Sequence, residues 1–177
     1  MSRTTAVEHY CRLLAPGGLF VSERGRLAMI SAVLGSAAAV CLHDHRLKMG
    51  GMSHFLYPTA GLFGRPDSRY ATVAIPALIR LMVDYGCRPE DLEAQIFGGA
   101  EPPGRTRAGR RLGEKNIKMA RKILRKNGVP VVSEDVGGRK GRRIIFYTGA
   151  NEALVMKTHR VRRGDFFPYR QREPGDR

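Results

Sequence analysis

At 177 residues the chain is long enough for one domain with a real core, and its 42% hydrophobic content is ordinary for a folded protein. No apolar run approaches the roughly 20 residues that span a bilayer, and Cys11, Cys41 and Cys87 are too few and too scattered for a disulfide framework or a zinc knuckle. The net charge of +15 names no fold and no reaction, but it predicts attraction to an acidic partner: nucleic acid, an anionic membrane surface or an acidic protein face.

The first residues (Met1-Ser2-Arg3-Thr4-Thr5) lack the basic-then-apolar pattern of a signal peptide, so a cytoplasmic protein is expected. Pro16-Gly17-Gly18 is a turn, followed by a short strand, Leu19-Phe20-Val21. Met29 to Leu34 reads as a strand entering a Gly35-Ser36 turn, and Ala38 to Leu42 and Met52 to Leu56 as two more. Pro58 to Asp67, rich in Gly and Pro, is a loop.

Ala71 to Tyr85 places Val73, Ala74, Leu78, Leu81 and Met82 at helical spacing and stops at Gly86; Pro76 lies near its first turn, where a missing N–H costs little. Leu92 to Phe97 is a strand ending at Gly98-Gly99, and Pro102 to Gly113 a polar, arginine-bearing loop. Asn116 to Asn127 is an amphipathic helix with Ile117, Ala120 and Leu124 on one side. Lys115, Lys118, Arg121, Lys122, Arg125 and Lys126 cover the other.

The last strands are Val129 to Val132, Arg142 to Tyr147 and Ala153 to Lys157, with a tight turn at Gly137-Gly138-Arg139-Lys140-Gly141. From His159 the residues are basic and aperiodic, which divides the chain into a domain over 1–158 and a disordered tail over 159–177. Strands mixed with two main helices predict a layered α/β domain.

The two runs around residue 45 can be put into register. A two-residue turn centred on His45-Arg46 pairs 44 with 47 and 42 with 49, so His54 falls opposite Ala37. Directly opposed side chains have Cβ atoms about 5 Å apart. A lone histidine in a strand is by default a satisfied core residue, so register alone does not make His54 functional.

Other readings are weaker. His43-Asp44-His45 with His54 invites a metal, but no fourth ligand is spaced to help, and none is expected. Gly98-Gly99-Ala100 is no phosphate loop, since no Lys-Ser/Thr follows it. The basic helix suggests nucleic-acid binding, yet the aromatic residues are few and not interleaved with it.

The lead Ser31-Ala32-Val33-Leu34-Gly35-Ser36-Ala37, with Gly51-Met52-Ser53-His54 after it, resembles the start of the CheD-type chemoreceptor glutamine deamidases. Further blocks carry the likeness from about Glu8 to Lys157: Arg69-Tyr70, Ala74 to Leu78, Ala94 to Ala100, Asn116, Val129 to Gly138 and Gly141 to Phe146. Gln95 stands where the family more often has lysine or a similar polar residue.

The resemblance implies a three-layer α/β sandwich of mixed, largely antiparallel strands with two main helices, like the toxin deamidases that use a Cys-His pair. It implies deamidation of receptor glutamines to glutamate, without a cofactor. Methyl-accepting chemotaxis receptors are then the substrate partners, and a CheC-type phosphatase a regulatory one. The nucleophile position is Ala37, where the family has cysteine, His54 is the base, and Ser31, six positions before Ala37, supports it.

Backbone N–H groups at Gly35 and Ser36 could cradle the oxyanion. Neither neighbour replaces the missing sulfur: Ser36 alternates to the opposite face, and Cys41 lies four residues along, roughly 13 Å away at strand rise. As written, the chain is expected to form no thioester. Ala37 is consistent with engineered inactivation, natural loss of catalysis or a sequence variant.

Overall fold

Strand-forming runs that follow one another in this chain do not all share a sheet, and the places where the chain changes sheet define its architecture. A computed structural model describes residues 10–60, 65–101 and 111–158. In chain order the elements are β1 (Tyr10–Leu13), β2 (Leu19–Val21), β3 (Ala28–Leu34), β4 (Ala38–Asp44), β5 (Met49–Phe55), α1 (Ala71–Asp84), β6 (Leu92–Gly98), α2 (Leu112–Lys126), β7 (Val131–Val136), β8 (Gly141–Tyr147) and β9 (Glu152–Thr158). One sheet has the order β1-β3-β8-β9 and the other β2-β5-β4-β6-β7. The pairs β1/β3 and β6/β7 are parallel and the rest antiparallel, so both sheets are mixed.

Strand periodicity explains the layers. On β4, Ala38, Val40 and Leu42 pack with Ile75, Leu78 and Met82 of α1 and Ile117, Ala120 and Leu124 of α2. The alternate residues Ala39 and Cys41 pack with Ile30, Ala32 and Leu34 of β3 and Ile144 and Phe146 of β8. A strand buried on both faces is apolar throughout, which is why β4 shows no polar alternation. The result is three layers: two helices, the five-stranded sheet and the four-stranded sheet.

The β4–β5 hairpin departs from the expected register. Its loop has four residues, His45 to Lys48, with Lys48 in the left-handed region (φ 50°) and Asp44 Oδ1 accepting the Leu47 N–H at 2.9 Å. Asp44 therefore pairs with Met49, and His54 lies opposite Ala39 rather than Ala37. The difference is two residues, an even number, so His54 and Ala37 keep the same face of the sheet.

Some boundaries also move. Helix α2 begins at Leu112, inside the expected loop, because Glu101 Oε1 accepts the Gly113 N–H at 2.7 Å and the Glu114 N–H at 3.3 Å from across the fold. Val129 is buried on the helix side, and β7 starts later, at Val131. β1 is an edge strand with exposed Cys11 and Arg12, without the alternation that reveals a strand in sequence. Residues 61–64 and 102–110 of the expected loops, and the expected tail over 159–177, lie outside the described residues.

Candidate active site

Three connections cross from one sheet to the other at a single end of the sandwich. They run from β1 to β2, from β3 to β4 and from β7 to β8. The first wraps around His54. Gly18 N–H bonds to Ala15 O at 2.8 Å to close a turn, and Gly17, at φ 83°, takes the left-handed conformation that glycine tolerates. Gly17 N–H then donates to His54 O at 2.7 Å, and His54 N–H donates to Gly18 O at 3.1 Å. The Pro16-Gly17-Gly18 turn thus pins the histidine backbone.

The imidazole is fixed by the same connection. His54 is 2% exposed, and its Nδ1 lies 2.9 Å from the Leu14 carbonyl oxygen. Burial holds its pKa below the ordinary 6.5, and the Leu14 carbonyl opposes that shift less strongly. A neutral ring whose Nδ1–H donates to a carbonyl carries its lone pair on Nε2. That Nε2 is buried and has no hydrogen-bond partner among the described residues.

Ser31 is placed differently from its expected role. On β3 it alternates with Ile30 and Ala32, which face the layer between the sheets, so its hydroxyl belongs to the other side. The ring nitrogen is held by Leu14 O instead. Ser31 contributes through its backbone, its carbonyl accepting the Leu14 N–H at 2.7 Å.

The second connection carries Ala37. The chain leaves β3 at Leu34, bends at Gly35-Ser36 and enters β4 at Ala38, so the expected turn is a corner between sheets. Ala37 is 8% exposed and packs in the layer that also faces His54. With His54 opposite Ala39, Ala37 is its diagonal neighbour, at a separation of about 7 Å that a long side chain still bridges.

Three successive carbonyls of the corner are taken. Gly35 O accepts from Ala100 N–H at 2.8 Å and Ala37 O from Gly99 N–H at 2.8 Å. Ser36 O accepts from Asn116 Nδ2 at 2.8 Å. In a trans peptide the C=O and the next N–H point in opposite directions. Anchoring these carbonyls therefore turns the N–H groups of Ser36, Ala37 and Ala38 away from their anchors.

The third connection braces the second. Gly98, at φ 105°, comes so close to Ala37 that an added Cβ would collide with the Ala37 carbonyl and lie 2.9 Å from Ala38 Cα. Gly137 N–H donates to Gly98 O at 2.9 Å, and Glu101 N–H to Gly138 O at 2.8 Å. Arg142, 2% exposed, donates to the Asp135 carboxylate and to the carbonyls of Asp135 and Gly137, holding that loop in place.

The other candidates do not join this site. Cys41 shares a face with Ala37 further along β4, and burial pushes its thiol pKa well up. Cys87 is pushed up to about 12, mainly by burial. His43 pairs with Gly50, four strand positions from His54, or roughly 13 Å. The Asp44 carboxylate binds the hairpin loop.

Sequence alone gives no role to the two anchors, Leu14 and Asn116, although Asn116 stands among the family blocks. A carbonyl leaves no trace in sequence. Asn116 does leave one: it is a polar residue on the stripe formed by Gly113, Ile117, Ala120 and Leu124.

The model of a family described as CheD chemotactic sensory transduction matches residues 63–157. The chain is 42% identical over 128 residues to a protein of Anaeromyxobacter dehalogenans (strain 2CP-C) named probable chemoreceptor glutamine deamidase CheD 1, covering 72% of this chain and 74% of that protein. It is 40% identical over 144 residues to one from Rhodospirillum rubrum named probable chemoreceptor glutamine deamidase CheD, covering 80% and 79%. A Sulfurimonas denitrificans protein of the same name is 35% identical over 150 residues, covering 84% and 95%. That match leaves fewer than thirty of the 177 residues outside it, so it spans Ser31 to His54.

Proposed function

The chain belongs to the CheD family, and we propose that its fold serves hydrolytic deamidation of glutamine side chains on chemoreceptors, with position 37 as the nucleophile position and His54 as the base. The observation that carries this reading is the His54 ring: neutral, tethered at Nδ1, and with Nε2 buried and without a partner among the described residues, in the layer that Ala37 shares. A thiol at position 37 would give its proton to Nε2 and attack the amide carbon of a receptor glutamine. The tetrahedral oxyanion would be received by the N–H groups of the Gly35–Ala37 corner.

The C–N bond then breaks, the imidazolium protonates the leaving nitrogen, and ammonia departs from a thioester. Water, deprotonated by Nε2, adds to that thioester and releases glutamate and the thiol. Two residues act at a distance: Leu14 orients the base, and Ser31 orients Leu14. The receptor's cytoplasmic domain would be met in the cytoplasm, with the net charge of +15 favouring an acidic surface.

Ala37 carries no atom that can do this chemistry, and it favours a second role for the chain as written. It would bind a receptor, or a CheC-type phosphatase, without turnover. The test is mass spectrometry of a glutamine-bearing receptor fragment incubated with the chain and with its A37C variant. Conversion to glutamate by A37C alone is the expected outcome. Failure of A37C, with its fold intact, leaves only the adaptor role.

A further inference from the structure

Helix α2 sets one polar side chain on its buried stripe. Asn116 is 0% exposed, and its Nδ2 donates to Ser36 O at 2.8 Å and to Leu56 O at 2.8 Å. Both partners only accept, which settles which end of the amide is nitrogen. Its Oδ1 is buried with no hydrogen-bond partner among the described residues. An apolar residue here would pack as well but would leave the Ser36 and Leu56 carbonyls without this donor, so the amide is kept for those two bonds.

The two bonds join the two halves of the candidate site. Ser36 precedes Ala37 in the corner, and Leu56 lies two residues beyond His54. The Ser36 carbonyl and the Ala37 N–H are opposite edges of one trans peptide. Holding the carbonyl from the helix side fixes where that N–H points.

We propose that Asn116 is a positioning residue: by binding the Ser36 carbonyl it aims the Ala37 N–H at the oxygen that becomes negative when a glutamine amide is attacked. This rests on the deamidase reading. Asn116 touches no substrate atom; it acts through the peptide that does. Oxyanion donors work because they are aimed before charge develops, so a peptide free to tilt loses their effect while substrate binding persists.

The test uses the full chain and two readouts. In A37C, N116A is expected to lower kcat on a receptor fragment by about tenfold to a hundredfold, below the roughly hundredfold to thousandfold cost of removing an oxyanion donor outright, because the N–H is misaimed and not lost. KM and the pH midpoint of thiol alkylation should stay unchanged, because neither depends on the oxyanion. In the chain as it stands, N116A should alter the residual dipolar coupling of the Ala37 N–H and leave those along β4 as they were.

Should N116A fail to fold, N116S, which keeps one donor, takes its place in both experiments. A kcat within threefold, a shifted alkylation midpoint that accounts for the loss, or an unchanged Ala37 coupling overturns the inference. An inactive A37C would instead remove the deamidase reading, and the coupling would still decide whether Asn116 orients the peptide.

Discussion

A backbone carbonyl is a better orienter for a buried base than a hydroxyl, because it can only accept. It forces Nδ1 to keep its hydrogen and leaves Nε2 basic. Leu14 O does this for His54, and Gly98 does the matching service at the corner by letting β6 approach Ala37 without a side chain. At φ 105° any other residue is strained as well as crowded. G98A is therefore expected to destabilise the fold by about 1–3 kcal/mol and, in the A37C background, to abolish deamidation. Urea unfolding and the receptor-fragment assay check both, and an active G98A of ordinary stability would contradict the assigned packing. His54 stands out in sequence through the resemblance that the Leu34-Gly35-Ser36-Ala37 lead and Gly51-Met52-Ser53-His54 carry, whereas Leu14 acts through an atom that every residue has.

At the scale of elements, β4 and β5 are legible because apolar runs bounded by a polar turn read as strands. Their register is not, because the loop length depends on one side-chain bond. Asp44 is fully buried and accepts the Leu47 N–H, stretching the turn to four residues, and Lys48 takes the left-handed conformation that closes it. Helix α2 is similar: its amphipathic body is plain, while its start depends on Glu101, a residue distant in sequence. D44A leaves the part-buried Leu47 N–H without its acceptor and should cost about 1–2 kcal/mol. Chemical denaturation measures it, and a change below a few tenths of a kcal/mol would show that the loop closes without Asp44.

For the whole molecule, the burial of two histidines makes stability depend on pH. His54 and His43 both have pKa values pushed below the ordinary 6.5, mainly by burial. Below pH 6.5 the unfolded chain takes up protons before the folded one does, so stability is fully present above that value. It is lost as pH falls toward the folded pKa values, by up to about 1.4 kcal/mol per pH unit for each histidine. The urea midpoint should therefore be lower at pH 5.5 than at pH 7.5, and H43Q should shrink the difference; equal midpoints would mean that the rings are charged or exposed.

A layered α/β domain could be anticipated from strands mixed with two helices, and its three layers from the family resemblance. The crowding of three sheet-to-sheet crossings at one end could not, because sheet membership depends on contacts between distant residues. On the proposed reading, this crossing end holds a nucleophile position and its base and lacks only the sulfur. The most direct test is the rate of iodoacetamide alkylation of the A37C thiol against pH, alone and combined with H54A. A midpoint well below the ordinary thiol value of about 8.5, returning to that value or above it in A37C/H54A, is the predicted result. Midpoints unchanged by H54A would contradict the pairing of position 37 with His54.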